Sequence, residues 1–325
     1  MISNYYLLQY QRYLREKELF SSVTFGEKGK ILDKNLIKLR GIIYVIISGI
    51  SFGVIPILAK LAYNQGANAI NTLALRFVFS SIFLYLYIKC KNISIKISKE
   101  QLKIIVLLSL FGYSMTSIFL FISYNYISSG IATMILYSYP VMVMILSVVI
   151  YKEKFEMKKF LYLMLTTLGV GIMLNIKEGQ VSFVGIILVL LSALSYAIYV
   201  IGCANEKIKD LNSFTMTFYI TVITAGVDIF LGFITRSFHT SITFLGIVYI
   251  IILAIVSTII GFITFLKGVK VIGPTNASIF SCSEPIVSLV LGVMVLKESI
   301  NLGIVVGSII IITVMIFMAK ETVKN

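Results

Sequence analysis

Charge is scarce in this chain: only 13% of its 325 residues are Asp, Glu, Lys or Arg, against 58% hydrophobic. So little charge cannot cover a soluble surface of ordinary polarity, and lipid is the expected solvent. Histidine occurs once, at His239, and cysteine three times, at Cys90, Cys203 and Cys282. An odd cysteine count without metal-ligand spacing excludes a disulfide framework and a metal centre; the three thiols read as packing residues or reduced groups at helix ends. No nucleophile lies beside a base and no acids are paired, so no residue is assigned a catalytic role. No phosphate-cradling glycine loop precedes a helix, which argues against a nucleotide cofactor and against ATP as the direct energy source. The N-terminus lacks the basic start, apolar core and small-residue cleavage site of a signal peptide.

What the chain does have is apolar runs. Ten of them, at about 41–62, 69–90, 102–124, 131–150, 158–175, 183–203, 213–235, 243–266, 275–296 and 301–319, approach the roughly 20 residues that a helix needs to cross the hydrocarbon core. Residues 1–40 precede them as a basic extension with scattered tyrosines, either lying partly on the membrane surface or forming a solvated tail. The net charge of +14 would suggest nucleic acid in a soluble protein. Here the cations sit in short loops, where they set orientation, and no nucleic-acid partner is expected. Of the 28 lysines and arginines, 23 fall on the side holding the N-terminus and 3 on the other, so both termini are expected in the cytoplasm.

The runs are duplicated. Ile127 to Glu153 superimposes without a gap on Ile272 to Glu298, 145 positions later, with eight identities in 27 residues that include Pro140 on Pro285 and Glu153 on Glu298. Each copy reads as one apolar helix with an internal, helix-breaking proline, which membrane helices accept when neighbours re-satisfy the freed carbonyl. Gly41, Ser48 and Ser51 likewise match Gly185, Ser192 and Ser195. The expected fold is an all-α integral membrane protein: ten transmembrane helices as two five-helix repeats, 41–175 and 183–319. Because five is odd, the second repeat enters from the opposite face, an inverted topology that many secondary transporters use around a midplane site.

These segments resemble the EamA-type permeases of the drug/metabolite transporter superfamily. The resemblance covers about residues 41–319 and rests on Tyr137 to Pro140 with Lys152 to Lys154, on Ser283 to Pro285 with Lys297 to Ser299, on the first-helix stretch Ser48 to Gly53, and on Leu75 to Phe77. The sequence contains no Trp, and Phe52 stands where the family often has one. The resemblance implies helices one to four and six to nine around a central cavity, and export of small metabolites or drugs.

Four ionisable residues lie inside the spans, each costing roughly 2.5–3.5 kcal/mol at a helix centre: Lys60, Arg76, Asp228 and Glu284. Lys60 lies close enough to a helix end to snorkel. Thr217, Thr221, Thr224 and Asp228 share one helical face, as do Ser278, Ser281, Glu284 and Ser288, so both acids should look into the bundle. At 1.5 Å per residue Glu284 lies roughly 14 Å into its span, and Arg76 and Asp228 about 10 Å from the outer end. The substrate or coupling set is therefore Glu284, Arg76, Asp228, Ser281, Ser278, Thr224 and Tyr137. For Arg76 and Asp228 a buried pair joining two helices is the structural alternative, and for Glu284 a hydrogen-bonded structural acid. Polar aromatic stripes at Ser109, Tyr113 and Thr116 and at Ser192, Ser195, Tyr196 and Tyr199 read first as helix-packing features. Gly303 and Gly307 could pack against another helix or a second subunit in a homodimer.

The expected function is secondary transport in the cell membrane, with the bilayer and a small-molecule solute as partners: export of a small metabolite such as an amino acid. A proton-coupled exporter of cationic drugs and a non-transporting scaffold or sensor stand as alternatives.

Overall fold

The computed structural model describes residues 35–123, 126–127, 132, 135–173, 182–238, 241–296 and 302–324. The extension before residue 35, His239, Lys297 and Glu298 lie outside them. The described residues form ten helical segments: α1 Asn35–Tyr63, α2 Ala69–Cys90, α3 at 99–123, α4 Tyr139–Tyr151, α5 Met157–Met173, α6 Phe183–Gly202, α7 Ser213–Ile234, α8 Phe244–Ile272, α9 at 274–296 and α10 Leu302–Lys324. Eight, all but α4 and α5, contain stretches long and apolar enough to cross a membrane. Large apolar side chains such as Phe183, Phe233, Phe244 and Met294 cover the outside.

Polar caps start the helices where the chain leaves the apolar runs. Ser98 and Gln101 form a reciprocal capping box at the start of α3, and Asn68, Asn212 and Thr243 accept backbone N–H groups at the starts of α2, α7 and α8. The α8 helix runs past the expected residue 266 to Ile272, carrying Lys267 to within 5.4 Å of the Tyr44 ring and 5.5 Å of the Phe214 ring.

The helices break at both expected prolines, but each proline opens the segment that follows instead of lying inside one continuous helix. Pro140 lies in the first turn of Tyr139–Tyr151, after a turn at Tyr137–Ser138, and Pro285 lies in the first turn of Ser283–Leu296, after a break at Ser281–Cys282. Pro56, after a turn at Val54 that divides α1, and Pro274, at the start of α9, also open helical segments. Each proline thus begins a segment, where its missing N–H would have no intrahelical partner anyway. The α9 helix is therefore two pieces, Pro274–Phe280 and Ser283–Leu296, and the serine stripe expected along one continuous helix spans the break.

Two more irregularities occur at matching places in the repeats. The α3 helix widens into a π-helical stretch at Leu108–Ser114 and α8 does so at Ala254–Gly261, about one repeat length later. Such stretches are frequent at functional sites because they shift side chains off the regular helical face.

Loop contacts sort into two ends of the bundle. At one end Thr215 donates to the Ser94 carbonyl at 2.9 Å, Tyr219 to that of Ile95 at 3.1 Å, and Gln101 to that of Lys207 at 3.0 Å. At the other end Asn68 donates to the Ser237 carbonyl at 2.8 Å and the Thr243 N–H to that of Gln65 at 3.0 Å. The α5 and α10 helices pack together, with a Cβ placed on Gly169 falling 3.1 Å from the Gly307 carbonyl oxygen. Gly307 is thus used for packing within the chain.

At the centre an aromatic cluster holds both repeats together. The Tyr113 ring lies 5.0 Å from Phe262, 5.6 Å from Tyr199 and 5.7 Å from Phe77, and Phe52 meets Phe262 edge to face at 5.7 Å.

Candidate functional site

Beside that cluster a cavity of about 160 Å³ opens between elements of both repeats. Its walls are Phe52 and Ile55 of α1, Tyr113, Thr116, Ser117 and Leu120 of α3, Leu136, Tyr137 and Tyr139 at the start of α4, and Tyr196 of α6; α9 contributes Glu284. Glu284 is the one ionisable carboxyl among these lining residues. It sits in the first turn of Ser283–Leu296, and its own N–H donates to the Ser281 carbonyl at 3.0 Å.

Local geometry brings it there. Gly49 and Gly53 let α1 press against the α9 break: a Cβ on Gly49 would stand 2.0 Å from Ser283 Oγ, and one on Gly53 would stand 2.9 Å from the Glu284 carbonyl oxygen. Only residues without a Cβ permit this approach. Tyr137 and Tyr139 stand in the same cavity wall as the Glu284 carboxyl. Tyr139 and Tyr196 meet edge to face at 4.7 Å. Below them Ser192 donates to the Thr116 carbonyl at 2.7 Å, joining α6 to α3.

The other sequence candidates separate from Glu284. Ser278 and Ser281 are buried and their hydroxyls donate back to the carbonyls of Thr275 and Ala277, which relieves the broken helix. Arg76 is buried on α2, and its Nη2 donates to the Tyr113 hydroxyl at 3.0 Å. Asp228 is buried on α7 and feels the attraction of Arg76, but the two form no ion pair within 4.0 Å among the described residues. The direct bond expected between them is replaced by attraction at a distance. Thr224 Oγ1, one turn from Asp228 on α7, is buried without a hydrogen-bond partner among the described residues. Lys60 is exposed, in keeping with a snorkelling side chain.

Sequence reasoning ranked Tyr113 and Tyr196 too low and left Tyr139 out of the candidate set. The signal was present, since Tyr113 and Tyr196 lie on polar aromatic stripes, but a stripe does not reveal whether it faces a cavity or a neighbour. Among the described residues no group of His, Cys, Asp and Glu could hold a metal ion.

Apolar helices that turn hydroxyls and buried charges inward around a cavity define a multi-pass membrane protein. The pattern of the EamA-like transporter family matches residues 39–175 and again 183–320, and the chain belongs to that family. It is 29% identical over 210 residues to an uncharacterized transporter of Archaeoglobus fulgidus, covering 64% of this chain and 74% of that one. It is 24% identical to the uncharacterized transporter YcbK of Bacillus subtilis over 82% of this chain and 88% of that one. A solved crystal structure superposes with a TM-score of 0.72 over 89% of this chain and 98% of that one; at 14% identity it shows the fold alone.

Proposed function

We propose that the protein is a secondary transporter that exports a small metabolite carrying an amino group, such as an amino acid, by alternating access around the Glu284 cavity. In this reading ten helices span the cell membrane as two inverted units, 41–175 and 183–319, with both termini in the cytoplasm. One observation carries it: a cavity between the two repeats whose single ionisable carboxyl stands among tyrosine hydroxyls. The ammonium group would meet Glu284. The carboxylate would meet the Tyr113 hydroxyl, whose oxygen already accepts an N–H from Arg76 and whose own proton is free to be donated. Ser278 and Ser281 shape the α9 break, and Tyr137 shares the cavity wall with Glu284.

A second reading, export of an organic cation in exchange for protons, is favoured by the lining itself, which holds Glu284 but not Arg76, so the charge lining the cavity is negative and its aromatic faces suit a cation. Flux in proteoliposomes with Tyr113→Phe separates the two. Amino-acid export should fall while amine export persists; no solute flux of either kind would leave the scaffold reading in place.

A further inference from the structure

Lys267 takes no part in the cavity just described. Five residues before the end of α8 it lies half-buried, with its ammonium nitrogen 5.4 Å from the Tyr44 ring of α1 and 5.5 Å from the Phe214 ring of α7. The Phe214 ring stacks in turn on Tyr87 of α2 at 4.9 Å. One cation thus sits where four helices meet, held between aromatic faces. Packing does not require a cation there. The matching position in the first repeat, 145 residues earlier, is Ile122, and the position matching Tyr44, 144 residues later, is Leu188. Nor does Lys267 belong to the loop cations that set orientation, because it stands inside a helix.

No acid neutralises this charge. Residues 35–47 of α1, 85–97 around the end of α2 and 262–272 of α8 hold seven lysines and arginines and no Asp or Glu. The acids that follow at this end of the bundle are engaged elsewhere: Glu100 pairs with Lys207 at 3.1 Å and Glu206 with Lys209 at 3.8 Å. Asp210 stands by Lys270, which donates to the carbonyl of the next residue, Leu211. Among the described residues Lys267 forms no ion pair within 4.0 Å. Further along the same two helices the surface turns apolar, with Ile47, one turn from Tyr44, and Ile260, two turns from Lys267, both exposed. A half-buried cation at the head of an apolar track suits an amphipathic anion better than a soluble one.

We infer that this corner of the bundle is a binding site for an anionic phospholipid, whose phosphate meets Lys267 and whose acyl chains lie along Ile47 and Ile260. Basic pockets between membrane helices recognise headgroups in this way. Phosphatidylcholine carries its own cation beside the phosphate and is disfavoured next to the lysine, whereas phosphatidylglycerol carries none. The inference does not depend on what the Glu284 cavity carries.

The sequence contains no Trp, so a single introduced indole reports on its own surroundings. Ile47→Trp places one beside the site, and Ile122→Trp places one at the position that matches Lys267 in the first repeat. Each full-length protein is reconstituted in mixtures of phosphatidylcholine and phosphatidylglycerol, with one or the other lipid brominated in its acyl chains so that it quenches the fluorescence. At Ile47→Trp the quenching should correspond to about fivefold enrichment of phosphatidylglycerol, a difference of about 1 kcal/mol, and at Ile122→Trp the two lipids should quench alike. Adding Lys267→Gln to Ile47→Trp should abolish the enrichment, while Lys267→Arg should keep it. If Lys267→Gln does not fold, the contrast between the two reporter positions and the Lys267→Arg result decide. Equal quenching by both lipids at Ile47→Trp, the same enrichment at Ile122→Trp, or enrichment that survives Lys267→Gln would each overturn the inference. So would enrichment lost on adding inorganic phosphate but not sodium chloride at the same ionic strength, which would assign the lysine to a free anion.

Discussion

Arg76 Nη2 donates to the Tyr113 hydroxyl at 3.0 Å, and through that bond a buried guanidinium on α2 reaches the wall of a cavity whose only charged lining residue lies on α9. Both residues are anchored by rings, Tyr113 against Phe77 and Phe262, and Arg76 with its guanidinium carbon 4.6 Å from the Phe77 ring centroid.

Tyr113→Phe keeps the rings and removes the hydroxyl. The Arg76 guanidinium then loses a hydrogen-bond acceptor in a buried place, at a cost of about 1–3 kcal/mol. Thermal unfolding of the purified protein should register the loss. A melting temperature equal to that of wild type would mean that the bond contributes nothing to stability.

Arg76 and Asp228 interact without touching, so their coupling should be real but smaller than that of a closed buried pair. A double-mutant cycle with Arg76→Leu and Asp228→Leu should give a coupling of about 0.5–3 kcal/mol, with each single change losing more than the double. Losses that simply add would show that neither charge senses the other.

Glu284→Gln preserves size and hydrogen-bonding capacity while removing the titratable proton. If a solute and a proton compete for this carboxyl, transport by the wild type varies with pH, and the variant should show a flat profile with its fold intact. Flux measured across pH 5.5–8.5, roughly the range over which tuned carboxyls titrate, checks this; a variant with the wild-type rate and profile would return Glu284 to a structural role.

Gly53→Val places a side chain against the Glu284 carbonyl oxygen, where a Cβ alone would stand at 2.9 Å. Backbone cannot yield as a flexible side chain can, so the cost should be about 1–3 kcal/mol or more. Folded yield after detergent extraction reports it, and an undiminished yield would imply that α1 does not press on the α9 break.

Reporter fusions at Met1 and Asn325 should be active only in the cytoplasm, as the 23 to 3 distribution of lysine and arginine requires. Activity on the outer side would remove the basis for the inverted repeat.

Much of this protein is determined by its sequence alone, because the bilayer imposes rules that act residue by residue. Run length and hydropathy place the helices, the rarity of charge singles out Arg76, Asp228 and Glu284, and the 145-residue repeat pairs Pro140 with Pro285. Helical periodicity also identifies which polar residues share a face. What it cannot identify is the face opposite, since that depends on how far each helix is rotated and how closely two backbones approach. Tertiary structure made those choices. Gly49 and Gly53 draw α1 onto the α9 break and set Glu284 among tyrosines, while the π-helical stretch in α3 carries Tyr113 between Arg76 and the cavity. The hydroxyls of Ser278 and Ser281, on the stripe that led to Glu284, return to their own backbone. Asp228, equally legible as a buried acid, does not line the Glu284 cavity. Packing distances of a few ångströms decide such partnerships, and periodicity in one helix carries no record of its neighbour's.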